Sequence, residues 1–215
     1  MKYNSLVRLA SAFVLVAVVL ARGPQAPAPS RPDLTNPAAF TETAPAVYRV
    51  RLETTVATVL IEVTRAWAPH GADRFYNLVK AGYYDQCRFY RVLPGYVAQF
   101  GIHGDPAVNA AWARATLPPD RAWKANTRGR VTFAMAQLVT TRSTQVFINF
   151  GNNSRLDLDG FAPFGQVVAG LAPLELLFSQ YGEGPDPRRF LAEGHAFLFK
   201  VMPQLDYIKT ARLDP

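Results

Sequence analysis

The chain has 215 residues, 49% of them hydrophobic and 18% charged, enough for one well-cored domain plus appendages. Its seventeen Pro and fourteen Gly, set among turns and short β-type runs, argue against a helical bundle and for a β-rich fold. The formal charge of +7 comes mostly from Arg, but no cluster of five or more Lys/Arg occurs, which argues against a nucleic-acid footprint.

Met1 to Ala21 opens with Lys2 and Arg8, followed by the apolar run LASAFVLVAVVLA from Leu9 to Ala21. Thirteen residues would span about 20 Å as a helix, short of a roughly 30 Å hydrocarbon core. A basic start, an apolar middle and small residues at the end have the shape of a secretory signal, with cleavage expected after Ala21. An uncleaved anchor and a buried strand are the competing readings. Export is expected, to a periplasmic or secreted location, with membrane contact only through an uncleaved N-terminal segment. Residues 22–45 are dense in Pro and small side chains and lack apolar periodicity, so a disordered spacer is expected there.

The folded domain is expected over residues 46–212. Tyr48, Val50 and Leu52 alternate, as do Val59, Ile61 and Val63, which reads as an opening hairpin. Pro69 suits a first helical turn, Phe75, Leu78 and Val79 recur at helical spacing, and Gly82 suits the stop; the spacing predicts a helix over 70–81. Cys87 is the single cysteine, so no intramolecular disulfide can form, and beside an apolar strand it reads as a buried, inert thiol.

Arg88 to Gly101, RFYRVLPGYVAQFG, holds two β-rich runs around a Pro94-Gly95 breaker, which predicts two strands with a tight connection. Arg91 and Gln99 fall inside those strands near Tyr96. Buried polar groups need partners, so such a face is unlike an ordinary core face; the pattern alone leaves open a surface strand whose Arg and Gln face water. Residues 102–128 hold three Pro and two Trp without a sustained period; a loop of that length is usually functional or locally ordered, and Trp112 and Trp123 suggest that parts of it pack down. GRVTFAMA (129–136) and TQVFINF (144–150) read as strands, as does the chain from about Phe164. Leu171 to Tyr181 reads as a helix, GEGPDP as loop, and Ala196 to Met202 as a closing strand. Six to eight short strands, two helices and no βαβ alternation predict a mainly β fold, a closed antiparallel barrel with helices over its ends. His70, His103 and His195 lack metal-ligand spacing, and no metal or cofactor is expected.

Five motifs in order, RFYNLVKAGYYD, CRFYRVLPGYVAQFG, GRVTFAMA, STQVFIN and an LDG turn followed by FAPFGQVVAGL, resemble the cyclophilin family of peptidyl-prolyl cis–trans isomerases over about Val47 to Met202. The resemblance implies that family's eight-stranded barrel with two helices. It also implies that Arg91 is the catalytic arginine and that Gln99 positions it and the substrate. Tyr96 falls where a pocket phenylalanine is usual and Val97 where methionine is usual. Ala136 matches the alanine of the MA motif, and Gln137 stands where many members have asparagine. Gln145 and Phe147 match the glutamine and pocket phenylalanine of the SQFFI motif, and Leu156 the pocket leucine. Three positions depart from the pattern. Arg155 replaces a common tryptophan, which should weaken cyclosporin-type binding; Phe161 stands where a rim histidine is usual; and QFGIHGDP is longer than the familiar QGGD turn.

Rotation about an X–Pro bond meets a barrier of about 18–20 kcal/mol from amide resonance and breaks no bond. It therefore needs no nucleophile or metal, and the chain has no G-x-S-x-G, H-E-x-x-H or paired-cysteine motif. A guanidinium, which cannot lose its proton, suits donation to the prolyl nitrogen in the twisted state. Phe147, Leu156, Tyr96 and Val97 would supply an apolar socket, with Gln145 on substrate backbone. Taken singly, Phe147 and Leu156 are also what a barrel core would contain. The expected substrates are proline-containing exported polypeptides, met by a monomer assisting folding. The alternative is a proline-peptide-binding chaperone module with weak or lost turnover, for which the apolar Phe161 and basic Arg155 at the rim would be suited.

Overall fold

The computed structural model describes residues 32–136 and 138–215. The expected signal segment, residues 22–31 of the expected spacer, and Gln137 lie outside the described residues.

The opening hairpin forms as the alternation predicts. Strands β1 (Val47–Thr54) and β2 (Thr58–Thr64) pair antiparallel from Val47↔Thr64 to Glu53↔Thr58. Tyr48, Val50 and Leu52 of one and Val59, Ile61 and Val63 of the other are buried. Helix α1 (Pro69–Lys80) starts on its proline and buries Phe75, Leu78 and Val79 against the sheet. Ala68 precedes it and offers no side-chain cap. The free N–H groups of His70 and Gly71 are instead taken by Asp120 from the long loop, at 3.0 and 2.9 Å.

Strands β3 (Arg91–Leu93) and β4 (Val97–Phe100) flank the Pro94-Gly95 turn, where Gly95 has a φ of +70°. Then follow α2 (Pro106–Trp112), β5 (Arg130–Phe133), β6 (Val146–Asn149), a 3₁₀ segment (Ser154–Asp159), β7 (Pro163–Ala169), the short α3 (Leu171–Leu174), α4 (Pro187–Val201) and β8 (Ile208–Asp214). The eight strands form one antiparallel sheet in the order β3-β4-β6-β5-β7-β2-β1-β8. Phe75, Tyr84, Phe100, Phe133 and Phe164 lie in its core, with Phe164 5.0 Å from Phe75 and 5.1 Å from Phe133. Cys87 is buried there too, and burial pushes its thiol pKa up.

The expected closed barrel is corrected to an open, curled sheet. β3 and β8 are its two edges and share no ladder; only the chain ahead of them meets, through a single bridge between Arg88 and Tyr207. Closure needs a continuous ladder around the sheet. Here the outer edge of β3 is already occupied, because the Val92 N–H donates to the Gly182 carbonyl at 3.2 Å. The 182–184 loop thus covers an edge that would otherwise stay unpaired.

Three other expectations are corrected. Residues 32–45 are not a free spacer: the Trp112 indole donates to the Leu34 carbonyl (2.8 Å), Asn77 and the Glu42 backbone exchange two hydrogen bonds, and the Ala44 N–H donates to Asp73. The 102–128 loop packs down in part, as expected: it contains α2, which Asp105 caps by accepting from the Ala107 N–H at 2.8 Å, and Trp112 is buried, whereas Trp123 is exposed. The helix expected over 171–181 stops at Leu174, and the Phe178 N–H turns to the Asp206 carboxylate at 2.7 Å. The closing strand expected at 196–202 is the second half of α4, with Phe197 and Leu198 both buried. α4 kinks at Gly194 (φ +63°), where a Cβ would lie 2.1 Å from the Gly104 carbonyl oxygen. The closing strand is β8, which runs to Asp214, beyond the expected limit of 212.

Candidate active site

Cross-strand register assembles the site. Arg91 of β3 stands opposite Gln99 of β4, and Gln99 stands opposite Phe147 of β6, so the three form a row across the sheet. Val97 lies two pairs along, on the same face of β4. Val97 and Phe147 are buried, at 2% and 4% exposure, yet neither belongs to the main core cluster. Their strand neighbours Ala98, Val146 and Ile148 are in that cluster, so Val97 and Phe147 face the opposite side of the sheet, which separates Phe147 from the core reading. Beyond β6, the 3₁₀ segment brings in Leu156, and the following turn brings in Phe161, whose ring meets Phe147 edge-on at 5.7 Å.

Arg91, Tyr96, Val97, Gln99, Ala134, Met135, Phe147, Leu156 and Phe161 together line a cavity of about 250 Å³. Arg91 is the charged member of an otherwise neutral lining. Seven of the residues singled out in the sequence thus meet at one place. Ala136 does not: it is exposed, its N–H donates to the Thr141 hydroxyl at 2.8 Å, and its neighbours Ala134 and Met135 line the cavity instead. Gln145 stands just behind the lining, and Gln137 lies outside the described residues. Arg155 is exposed beside Leu156.

The glutamines are arranged differently from the expectation that Gln99 orients Arg91. The Gln99 amide donates to the Tyr90 hydroxyl and, at 3.2 Å, to the Gln145 side-chain oxygen; the Tyr90 hydroxyl donates to that same oxygen. Burial pushes the Tyr90 phenol up, while the Gln99 hydrogen bond pulls it back. Tyr90 also packs its ring 5.6 Å from Phe190 of α4, so this triad ties the site to the helix behind it. Arg91 instead donates from Nε to Glu183 at 2.6 Å, and its guanidinium lies 5.7 Å from the Tyr96 ring centre.

Three contributors were not visible in the motifs. Tyr90 sits on the other strand parity, and its one sequence signal is that a buried phenol needs a partner. Glu183 lies in a stretch that reads as plain loop. Asn126, fully buried, accepts from the Thr132 hydroxyl (2.7 Å) and donates to Asp157 (2.7 Å) and the Phe161 carbonyl (2.9 Å). It thereby pins the segment carrying Leu156 and Phe161 to the long loop. Among the described residues, no group of three or more His, Cys, Asp or Glu side chains gathers as a metal site.

A family model described as cyclophilin type peptidyl-prolyl cis-trans isomerase/CLD matches residues 49–187. The chain belongs to the cyclophilin family. Among its relatives, a peptidyl-prolyl cis-trans isomerase of Acinetobacter baylyi is 29% identical over 126 residues, covering 57% of this chain and 67% of the relative. The human peptidyl-prolyl cis-trans isomerase-like 3 is 31% identical over 134 residues, covering 60% and 80%. Among solved structures, a cyclophilin type peptidyl-prolyl cis-trans isomerase of Cryptosporidium parvum superposes with a TM-score of 0.59 at 19% identity, covering 79% of this chain and 98% of that one. The cyclophilin AquaCyp293 of Hirschia baltica gives 0.58 at 18%, covering 79% and 75%. The cavity of this cyclophilin lies wholly within the matched stretch; most of α4 and all of β8 lie beyond it.

Proposed function

We propose that this cyclophilin accelerates rotation about X–Pro bonds in exported polypeptides, with Arg91 as the catalytic residue. The observation that carries the reading is the lining itself, one guanidinium facing an otherwise neutral cavity. Phe147, Leu156, Val97 and Phe161 offer apolar walls for a prolyl ring, and Tyr96 closes the turn side. The ring is held while the preceding carbonyl rotates. As resonance is lost, the lone pair localises on the prolyl nitrogen, and Arg91 donates to it. That interaction is stronger in the twisted state than in either planar state, which is the condition for acceleration. Arg91 stays charged throughout, so no proton changes hands.

Arg91→Ala should lower turnover by at least about tenfold, each factor of ten corresponding to about 1.4 kcal/mol, with peptide affinity changed much less. NMR exchange spectroscopy on an Ala-Pro peptide reads both in one sample. Wild-type turnover in a folded Arg91→Ala would remove Arg91 from the mechanism and favour the peptide-binding module.

Export rests on the basic and apolar start of the chain, and N-terminal sequencing from the native host tests it. A chain beginning near Arg22 outside the cytoplasm is the expected result; intact Met1 on a soluble cytoplasmic chain refutes it.

A further inference from the structure

We propose that Glu183 is the residue that positions Arg91, taking the place expected of Gln99. The inference rests on Arg91 being catalytic. The Gln99 Nε2 group donates to Tyr90 and Gln145, and among the described residues the Arg91 side chain hydrogen-bonds to Glu183 and not to Gln99, so Gln99 does not set the plane of the guanidinium. Glu183 holds Nε at 2.6 Å, leaving the two terminal nitrogens of the fork for the cavity that Arg91 lines. Arg91 is 24% exposed and Glu183 74% exposed, so the pair adds little to stability, as exposed ion pairs generally do. Its effect is on orientation.

The loop that carries Glu183 is built onto β3 rather than draped near it. The Gly182 carbonyl accepts from the Val92 N–H, the residue next to Arg91, at 3.2 Å. The Gly184 N–H donates to the Tyr181 carbonyl at 2.9 Å, closing a turn. Gly184 has a φ of +78°, and a Cβ there would lie 2.1 Å from the Tyr90 carbonyl oxygen. Gly184 therefore lets the loop carrying Glu183 lie against the strand at the level of Arg91. A fork held on one edge by a carboxylate loses less freedom when it meets the twisted amide, and small misplacements of a catalytic group are expensive in rate.

The experiment compares wild type, Glu183→Ala, Glu183→Gln, Arg91→Ala and Arg91→Ala/Glu183→Ala by exchange spectroscopy on an Ala-Pro peptide, with the Arg91 Nε–H resonance followed in parallel. Glu183→Ala should lower kcat about tenfold with KM nearly unchanged, the mark of an interaction acting in the transition state. It should also broaden the Nε–H signal. Glu183→Gln keeps an oxygen acceptor and should recover most of both. The double variant should be no slower than Arg91→Ala, since Glu183 acts only through Arg91. Wild-type kcat or an unchanged Nε–H signal in Glu183→Ala, beside an impaired Arg91→Ala, overturns the positioning role alone. So does a loss that appears in KM, that Gln does not recover, or that persists in the Arg91→Ala background. Wild-type turnover in Arg91→Ala overturns the proposed function and this inference with it.

Discussion

Replacing Asp120 by Ala should unfold this protein far more readily than its place in an irregular loop suggests. Asp120 and Arg142 form an ion pair at 3.1 Å with each side chain only 1% exposed. Asp120 accepts from the backbone of His70 and Gly71 at the start of α1, where the helix leaves N–H groups unpaired and favours negative charge. Arg142 donates further to the carbonyls of Pro118 and Val139. Removing the carboxylate leaves a buried guanidinium without its counter-charge, a loss of about 3–5 kcal/mol. The missing helix cap adds about 1 kcal/mol. Against a typical total of about 5–15 kcal/mol, that is about a quarter or more of the stability. With about 2–4 °C per kcal/mol for a domain of this size, Tm should fall by about 8–24 °C. Urea titration of wild type and variant measures the difference directly. Asp120→Ala/Arg142→Met should recover part of the loss, since it removes the orphaned charge as well. A loss below about 1 kcal/mol would refute the argument, because breaking a buried pair should cost several times that.

Phe147→Ala should raise KM for proline peptides about tenfold or more by emptying the socket, with a smaller change in kcat, read in the same exchange experiment as Arg91→Ala. A loss confined to kcat would count against Phe147 as a wall of the site. Stability should also depend on His195. Its Nε2 is buried without a partner, and burial, then the Arg88 charge, then His103, lower its pKa from 6.5 to about 4. The unfolded chain therefore takes up the proton first on acidification. Stability from this group is fully present above pH 6.5 and is lost as pH falls from 6.5 toward 4, with a slope approaching about 1 kcal/mol per pH unit. Urea midpoints across that window should flatten in His195→Gln relative to wild type; an identical slope would show that His195 does not carry the effect.

The local pattern alone determined the hairpin of β1 and β2, α1, and the pair of short strands around Pro94-Gly95, because each carries its own periodicity and its own stop signal. The motif order also marked seven of the nine residues that line the cavity. Ala134 and Met135 escaped by a shift of one or two positions within a strand end that does not alternate cleanly. Elsewhere, distant partners decided. The 196–202 stretch alternates like a strand, yet Asp186 caps a helix that carries it, and Gly194 bends that helix to meet Gly104. Residues 32–45 look unstructured by composition, but Trp112, Asn77 and Asp73 hold their backbone. Strand number points to a closed barrel, and only tertiary structure shows that a loop from beyond β7 has taken the edge of β3. The same loop delivers Glu183 to Arg91 across 92 positions of sequence, and the amide that the motif assigned to Arg91 goes to Tyr90 instead. Hydrogen bonds along a helix or strand follow from neighbours a few residues apart. Which buried donor meets which acceptor across the sheet depends on register and loop path, and no local spacing encodes that choice.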